Sequence, residues 1–218
     1  WNDGRGIKMT LAHGCYWKRC NFCDLHLDCI CRYDPLKPED IVERIELLMN
    51  SRKAQLMAEG FDPKPQDYNG FHFVDEAAPP ALLGKISDLI LARGLQLRWW
   101  TNIRFEKSFD AELCRKMSQA GCIAVSGGLE VASERILHKI CKGVSVEQAF
   151  ESCKNFSEHH ILVHAYLMYG FPGQTKAETF ESLENVRKLF KAGYIQSAFW
   201  HRFALTAHSP MGRDPEAF

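Results

Sequence analysis

Three cysteines carry the chemistry that is most legible in this chain. Cys15, Cys20 and Cys23 fall within nine residues, in the stretch Gly14-Cys15-Tyr16-Trp17-Lys18-Arg19-Cys20-Asn21-Phe22-Cys23-Asp24. Thiolate is the soft donor that holds iron–sulfur clusters, zinc or cuprous copper. A short loop can turn three thiolates towards one point and leave a fourth position open. That position is filled by a distant side chain in a closed structural site, or by a small molecule in a reactive one. Zinc completed by Cys29, Cys31, His13 or His26 is therefore one reading. A two-iron cluster is another, because the four-then-two spacing is also that of plant-type ferredoxins.

The elements that must position this loop alternate in type. Ile7 to Ala12 is a short apolar run leading into the cysteines and is predicted to be a strand. Beyond Pro35 and Pro38, Ile41, Val42, Ile45, Leu48 and Met49 recur at helical spacing. Gly60 to Asn69 is rich in breakers and reads as a loop, Gly70 to Asp75 as a strand, and a helix starts near Pro79-Pro80. Leu95 to Thr101, Cys122 to Ser126, Ile161 to Tyr169 and Ile195 to Phe203 read as further strands. Asp110 to Ala120, Val146 to Phe156 (capped by Ser145) and Lys176 to Lys191 read as helices between them. Six βα units in series predict an α/β fold with a parallel sheet and helices outside, either curled into a barrel or doubly wound.

On that map the polar residues gather at strand C-terminal ends, where parallel α/β folds place their chemistry. Cys15 follows the first strand and Asp75-Glu76 end the second. Asn102 and Arg104 follow the third, Ser126 to Glu130 the fourth, and Gly170-Phe171-Pro172-Gly173 the fifth.

Composition bounds the class. The chain has 218 residues, 46 % hydrophobic and 25 % charged, enough for one large globular domain with its own core. Lys+Arg and Asp+Glu both number 27, so no net field steers it to nucleic acid or anionic membrane, and transfer RNA is disfavoured as a substrate. No apolar run is long enough for a membrane span and no signal peptide opens the chain. Nine cysteines, an odd number, do not suit a secreted disulfide scaffold. A reducing, cytoplasmic compartment is expected. The chain begins at Trp1 and ends at Phe218 without an evident helix end, and is expected to be part of a longer protein.

Cys15, Cys20 and Cys23, Asp75-Glu76, Ser126-Gly127-Gly128-Leu129-Glu130 and Tyr169-Gly170-Phe171-Pro172-Gly173-Gln174-Thr175 together resemble the radical S-adenosylmethionine enzymes. The likeness runs across nearly the whole chain, so residues 1–218 read as one core domain, and it is nearest to branches often preceded by a cobalamin-binding domain. The commonest family motif has three residues between its first two cysteines, where this loop has four.

The resemblance implies a partial (β/α)6 barrel with a four-iron four-sulfur cluster on Cys15, Cys20 and Cys23, its open iron chelated by S-adenosylmethionine. It also implies reductive cleavage of that sulfonium to a 5′-deoxyadenosyl radical that takes hydrogen from a substrate. An electron donor such as flavodoxin or ferredoxin follows, as does cobalamin supplied through a separate domain. By the same carry-over Phe22 lies near the adenine, and Asp75 or Glu76 receives the methionine ammonium. Asn102 and Ser126 belong to the cofactor site, Glu130 reaches the ribose or methionine end, and Ser133 or Arg135 meets the carboxylate. From strand register, Tyr166 and Met168 are expected to line the adenosyl pocket and His201 to face substrate.

Plainer readings stand beside these. Asp75-Glu76 could cap the following helix and Arg135 could be a solvated helix residue. Cys114, Cys122, Cys141 and Cys153 read as small buried hydrophobes. His159-His160 reads as a loop before a strand. Trp99 and Trp100 point to opposite faces of their strand, and core packing is the expectation for both.

Overall fold

The computed structural model describes residues 6–218. In chain order the elements are β1 (Ile7–Met9), β2 (Ala12–His13), α1 (Asp28–Cys31), β3 (Asp34–Pro35), α2 (Pro38–Ala58), β4 (Gly70–Phe73), α3 (Pro80–Ala92), β5 (Arg98–Ile103) and α4 (Ala111–Gln119). The second half continues with β6 (Cys122–Glu130), α5 (Glu134–Lys139), α6 (Val146–Glu158), β7 (Leu162–Tyr169), α7 (Lys176–Lys191), β8 (Ser197–Arg202) and α8 (Pro210–Arg213). Six strands form one parallel sheet in the order β1-β4-β5-β6-β7-β8, while β2 and β3 pair as a small antiparallel ribbon. Sequential parallel neighbours joined by helical crossovers make the partial TIM-type barrel that the resemblance implies, one of the two arrangements the alternation leaves open.

The sequence explains why the helices start where they do. Pro38 and Pro80 open α2 and α3 at the first-turn position, where no amide donor is needed. Asp110 caps α4 through a 2.8 Å bond from the Leu113 amide, and Ser145 with Gln148 and Thr175 with Glu178 form reciprocal capping boxes on α6 and α7.

These helices cover one face of the sheet. Phe71, Phe73, Trp99, Thr101, Val125, Val163, Ala165 and Leu167 alternate along the strands and are buried on that face. Trp99 anchors it, with its indole Nε1 donating to the Ala120 carbonyl at 2.9 Å. Truncating a fully buried tryptophan of this kind costs about 3–5 kcal/mol.

The other face differs from a closed barrel, whose lumen is filled with large branched side chains. Here β6 turns Ala124, Ser126 and Gly128 inward before it reaches Glu130, with Trp100 and Asn102 on β5 and His164 and Tyr166 on β7 as their register partners. Small residues at the centre of the inner face leave space instead of a packed core.

Several boundaries move from the sequence expectation: β5 runs on to Ile103, so that Asn102 lies in the strand and does not follow it, and β8 is shorter at both ends, Ser197–Arg202. β1 stops at Met9 because residues 12–13 pair with β3 instead. The second strand stops at Phe73, two residues before Asp75. β5 starts at Arg98, not Leu95, since the Leu95 amide closes the end of α3 on the Ile90 carbonyl. β6 runs four residues past Ser126 to Glu130, so Ser126 to Glu130 lie in the strand and do not follow it. Gly127 makes this extension feasible, because a Cβ there would sit 2.7 Å from the buried Phe105 ring. Cys114, Cys122 and Cys153 are buried as expected, but Cys141 is exposed, in a turn at φ +53°. Trp100 also departs from expectation. It is only partly buried, stacked on His72 at 4.3 Å on the inner face.

Among the described residues no helix is long and apolar enough to cross a membrane.

Candidate functional site

A cavity of about 290 Å³ opens at the C-terminal ends of the strands. One wall is the cysteine loop, with Cys15, Cys20, Phe22 and Cys23. Glu76, Asn102, Arg104, Ser126, Glu130, Lys142 and Tyr166 stand around it. Of the residues singled out in the sequence, the three cysteines, Phe22, Glu76, Asn102, Ser126, Glu130 and Tyr166 therefore meet at one place.

The loop has no regular structure of its own and is held by three remote segments. Asn21 donates from its backbone to the Ile140 carbonyl at 3.0 Å and from its side chain to the Lys139 carbonyl at 2.9 Å and to Cys141 Sγ at 3.3 Å. Trp17 Nε1 donates to the Cys141 carbonyl at 2.8 Å, and its ring lies so close over Gly143 that a Cβ there would be 1.8 Å away. Glycine is required at that position twice over, since its φ of +72° is also left-handed. Arg104 stacks on Trp17 at 4.6 Å. From the C-terminal side, the Met211 amide donates to the Asn21 carbonyl at 3.0 Å and Thr206 Oγ1 to Asp24 Oδ1 at 2.7 Å. Cys141 thus serves the loop from an exposed turn.

Two cations lie beneath the thiols. Lys142 is buried and pairs with Glu130 at 2.6 Å, and Arg104 is buried with its guanidinium donating to the Lys142 carbonyl. Burial by itself would depress the lysine, but Glu130 and Cys20 outweigh it and hold its pKa above the ordinary lysine range. Cys20 is lowered to about 6, first by the hydrogen bond from Cys23, then by Lys142 and Arg104 against the opposing effect of burial. Cys23 is raised, because it keeps the proton the pair shares. A site that stabilises thiolate in this way suits a cationic metal cluster with soft donors.

Glu130 reaches Lys142 from a backbone at φ +58°, next to a register shift between Gly128 and Glu130. A non-glycine residue in that region stores of order 1 kcal/mol of strain, a common feature of functional positions. Lys142 and Trp17 were not singled out from sequence, and Arg104 was placed at the end of its strand without a role. The pairing of Glu130 with Lys142, twelve positions on, has no helical or strand periodicity to announce it.

The structure distinguishes Asp75 from Glu76. Asp75 is buried and turned away from the cavity, accepting from the Leu11 amide at 3.1 Å and the Ala12 amide at 2.7 Å. It ties the end of β1 to the end of β4, and burial raises its pKa to about 6 despite those two bonds. Glu76 is exposed to the cavity. Asn102 supports this turn, its Nδ2 donating to the Asp75 carbonyl at 3.0 Å while its own carbonyl accepts from Ala78.

Four other candidates fall outside the cavity lining. Arg135 is engaged by Glu178 through two bonds of 2.6 and 2.8 Å and also donates to the Gly173 carbonyl, so its bidentate fork is already filled at the surface. Ser133 is buried at the start of α5. Met168 packs with Val131, Ile136 and Phe171 in a small second core that also supports Phe22. His201 is exposed near Phe199 and Tyr166.

The described donors that would complete a zinc site lie outside the cavity lining. His13 is bound to Asp28, and His26 and Cys31 are exposed; the side chain of Cys29 lies outside the described residues. Among the described residues no three His, Cys, Asp or Glu side chains close on a single ion. A cluster makes a different demand, because each thiolate binds a different iron and the sulfurs need to ring a space and not a point.

Comparison with known proteins bears on the same site. The family model "Radical SAM superfamily" matches residues 9–186. Residues of the chain align at 26 % identity over 94 % of its length with tRNA-2-methylthio-N(6)-dimethylallyladenosine synthase of Desulforamulus reducens, covering 43 % of that protein. They align at 30 % identity over 48 % of the chain with an uncharacterized methyltransferase of Pyrococcus horikoshii, PH0819, covering 22 % of it. The chain thus spans less than half of these relatives. Among solved structures, the cobalamin-dependent S-adenosylmethionine radical enzyme OxsB superposes with a TM-score of 0.73 at 15 % identity, over 97 % of this chain and 35 % of that one. The radical S-adenosylmethionine methyltransferase TsrM of Kitasatospora setae gives 0.71 at 20 % identity, over 97 % and 38 %.

Proposed function

The chain belongs to the radical S-adenosylmethionine superfamily of enzymes, and on that premise we propose that it is the catalytic core of a longer protein, binding a four-iron four-sulfur cluster through Cys15, Cys20 and Cys23. The observation that carries this reading is the meeting of the three cysteines with Glu76, Asn102, Ser126, Glu130 and Tyr166 around one cavity. When bound, the cluster and S-adenosylmethionine supply reductive cleavage of the sulfonium and a 5′-deoxyadenosyl radical that abstracts hydrogen from substrate.

The chain's own residues provide position and charge. The bonds to Asn21 and Trp17 hold the loop before any cofactor arrives, which lowers the ordering cost of binding. Lys142 and Arg104 offset the negative charge of three thiolates where water is scarce. Glu76 offers a carboxylate to the methionine ammonium, with Asn102 fixing the turn that presents it. Phe22, braced edge-on against Phe171 at 5.8 Å, offers its ring to the adenine. Ser126 and Tyr166 offer hydroxyls on the sheet side. Electrons would come from a flavodoxin- or ferredoxin-type donor. A cobalamin-binding domain elsewhere in the protein would fit the company of TsrM and OxsB, both solved with cobalamin. The eight described cysteines are unpaired, which suits a cytoplasmic setting.

Anaerobic reconstitution tests the proposal. About four irons with matching sulfide per chain, and 5′-deoxyadenosine formed from S-adenosylmethionine with dithionite, are expected. One zinc without iron, or full cleavage by Cys20→Ala, would overturn it.

A further inference from the structure

A second and larger cavity, about 630 Å³, lies on the same inner face at the opposite, N-terminal ends of the strands. Its floor and walls follow from the register. Trp100, Ala124 and Leu162 stand in one row across β5, β6 and β7, and Ser126, His164 and Ser197 in the next across β6, β7 and β8. Adjacent strands are about 4.8 Å apart, so Trp100 and Leu162, two strands from each other, are rooted roughly 10 Å apart over the methyl group of Ala124. That separation accommodates one flat ring standing between them, and a bulkier residue at 124 would close it.

The chemistry of the walls fits the shape. Trp100 is already stacked face to face on His72, at 4.3 Å and 14°. His164 packs edge-on against Tyr166 at 4.9 Å and holds Ser197 Oγ through Nδ1 at 2.8 Å. Burial lowers the pKa of His164, so the imidazole is neutral at pH 7 and is a hydrogen-bonding group, not a charge. Asn69, 93 % buried in the same lining, has no hydrogen bond to its Oδ1 among the described residues, while its Nδ2 donates to the Gln96 carbonyl. A volume in the range of small-molecule sites, aromatic walls and a few polar groups is the composition of a pocket for a planar ligand.

We propose that this slot binds a flat heteroaromatic ring system, sandwiched between Trp100 and Leu162 over Ala124 with its polar edge at His164 and Ser197. Ser126 lines both cavities, so the end of such a ligand nearest Ser126 abuts the cofactor cavity and presents its hydrogen there. Naming that ligand as the substrate rests on the function proposed above; its binding does not.

Indole is a suitable probe, with cyclohexanol as a non-planar control, each titrated against the 218-residue chain by ligand-detected NMR. Saturable indole binding that S-adenosylhomocysteine does not displace is expected, with no saturable cyclohexanol binding. Trp100→Ala is expected to weaken indole by about tenfold, the scale of one lost aromatic contact, and Ala124→Leu to abolish its binding. Thermal unfolding of each variant checks the fold, and His164→Ala, which removes volume instead of adding it, is expected to weaken indole several-fold if Ala124→Leu does not fold. No saturable indole binding, or binding unchanged in the folded variants, overturns the slot. Iron content and 5′-deoxyadenosine are measured on the same protein. Indole binding without a cluster would overturn the cofactor reading alone, and cleavage without indole binding would overturn the slot alone.

Discussion

The two ends of the inner face share Ser126 and little else. At the C-terminal end the cavity is small and charged, and its walls are tied down from several sides: the cysteine loop by residues 139–143 and 206–211, Glu130 by Lys142, the Asp75-Glu76 turn by Asn102. At the N-terminal end the cavity is twice as large, and its shape comes from the small residues of β6 set between aromatic and aliphatic neighbours. One end is built by electrostatics and directional hydrogen bonds. The other is built by what is left out. The difference suits a fixed cofactor at one end and a variable ligand at the other, since altering a slot needs only side-chain volume, whereas altering the first cavity disturbs its whole network.

The largest effect that would test this contrast is Cys20→Ala, expected to lose the cluster and all 5′-deoxyadenosine formation while circular dichroism stays native. Next comes Lys142→Met, which leaves Glu130 buried without its partner. A loss of about 3–5 kcal/mol is expected by urea unfolding, and a much smaller loss would mean that the two ends are not so differently built.

Asp75→Asn follows, with a pH signature. The folded-state pKa of about 6 lies above the ordinary 3.8, so the folded chain binds the extra proton and the contribution of Asp75 to stability falls as pH rises from about 4 through 6. The carboxamide of the variant does not titrate. The advantage of wild type over the variant is therefore expected to shrink by roughly 2–3 kcal/mol between pH 4 and pH 7 in paired unfolding curves.

In the slot, Ala124→Leu is expected to change stability by less than about 1.5 kcal/mol, because the added methyl groups enter existing space. Glu178→Gln should be smallest. Arg135 lowers Glu178 to about 2, so the pair contributes above the ordinary pKa of 4.5 and is lost as pH falls towards 2. Arg135 is solvated and Glu178 lies at the surface half-buried, so a marginal difference in melting temperature at pH 7, shrinking in salt and gone by pH 2, is expected.

Much of this was readable from the chain. The cysteine loop is local, with its ligands within nine residues, and the βα alternation declares itself through periodicity and caps, so the six sheet strands and the parallel α/β class follow without coordinates, while the barrel was implied by the family resemblance. Lys176–Lys191 is bounded in the structure as its pattern predicts.

Less legible were the residues whose meaning depends on where they point. Asp75 and Glu76 are neighbours of the same chemical type, and only the approach of the Leu11 and Ala12 amides assigns one to structure and leaves the other facing the cavity. Arg135 has the fork that suits a carboxylate, and Glu178, forty-three positions away, fills it. Trp100 reads as core beside Trp99, yet it lies on the inner face, half-buried against His72.

The sequence by itself determined the fold class, the soft-donor loop and the end of the strands that carries it, because these depend on local spacing and on hydrophobic period. Tertiary structure alone decided that Lys142 and Arg104 lie under the thiols, which carboxylate faces the cavity, and that small residues on β6 leave a second cavity. Those outcomes are set by strand register and by the curvature that brings distant side chains together, and neither is encoded in any short window of the chain.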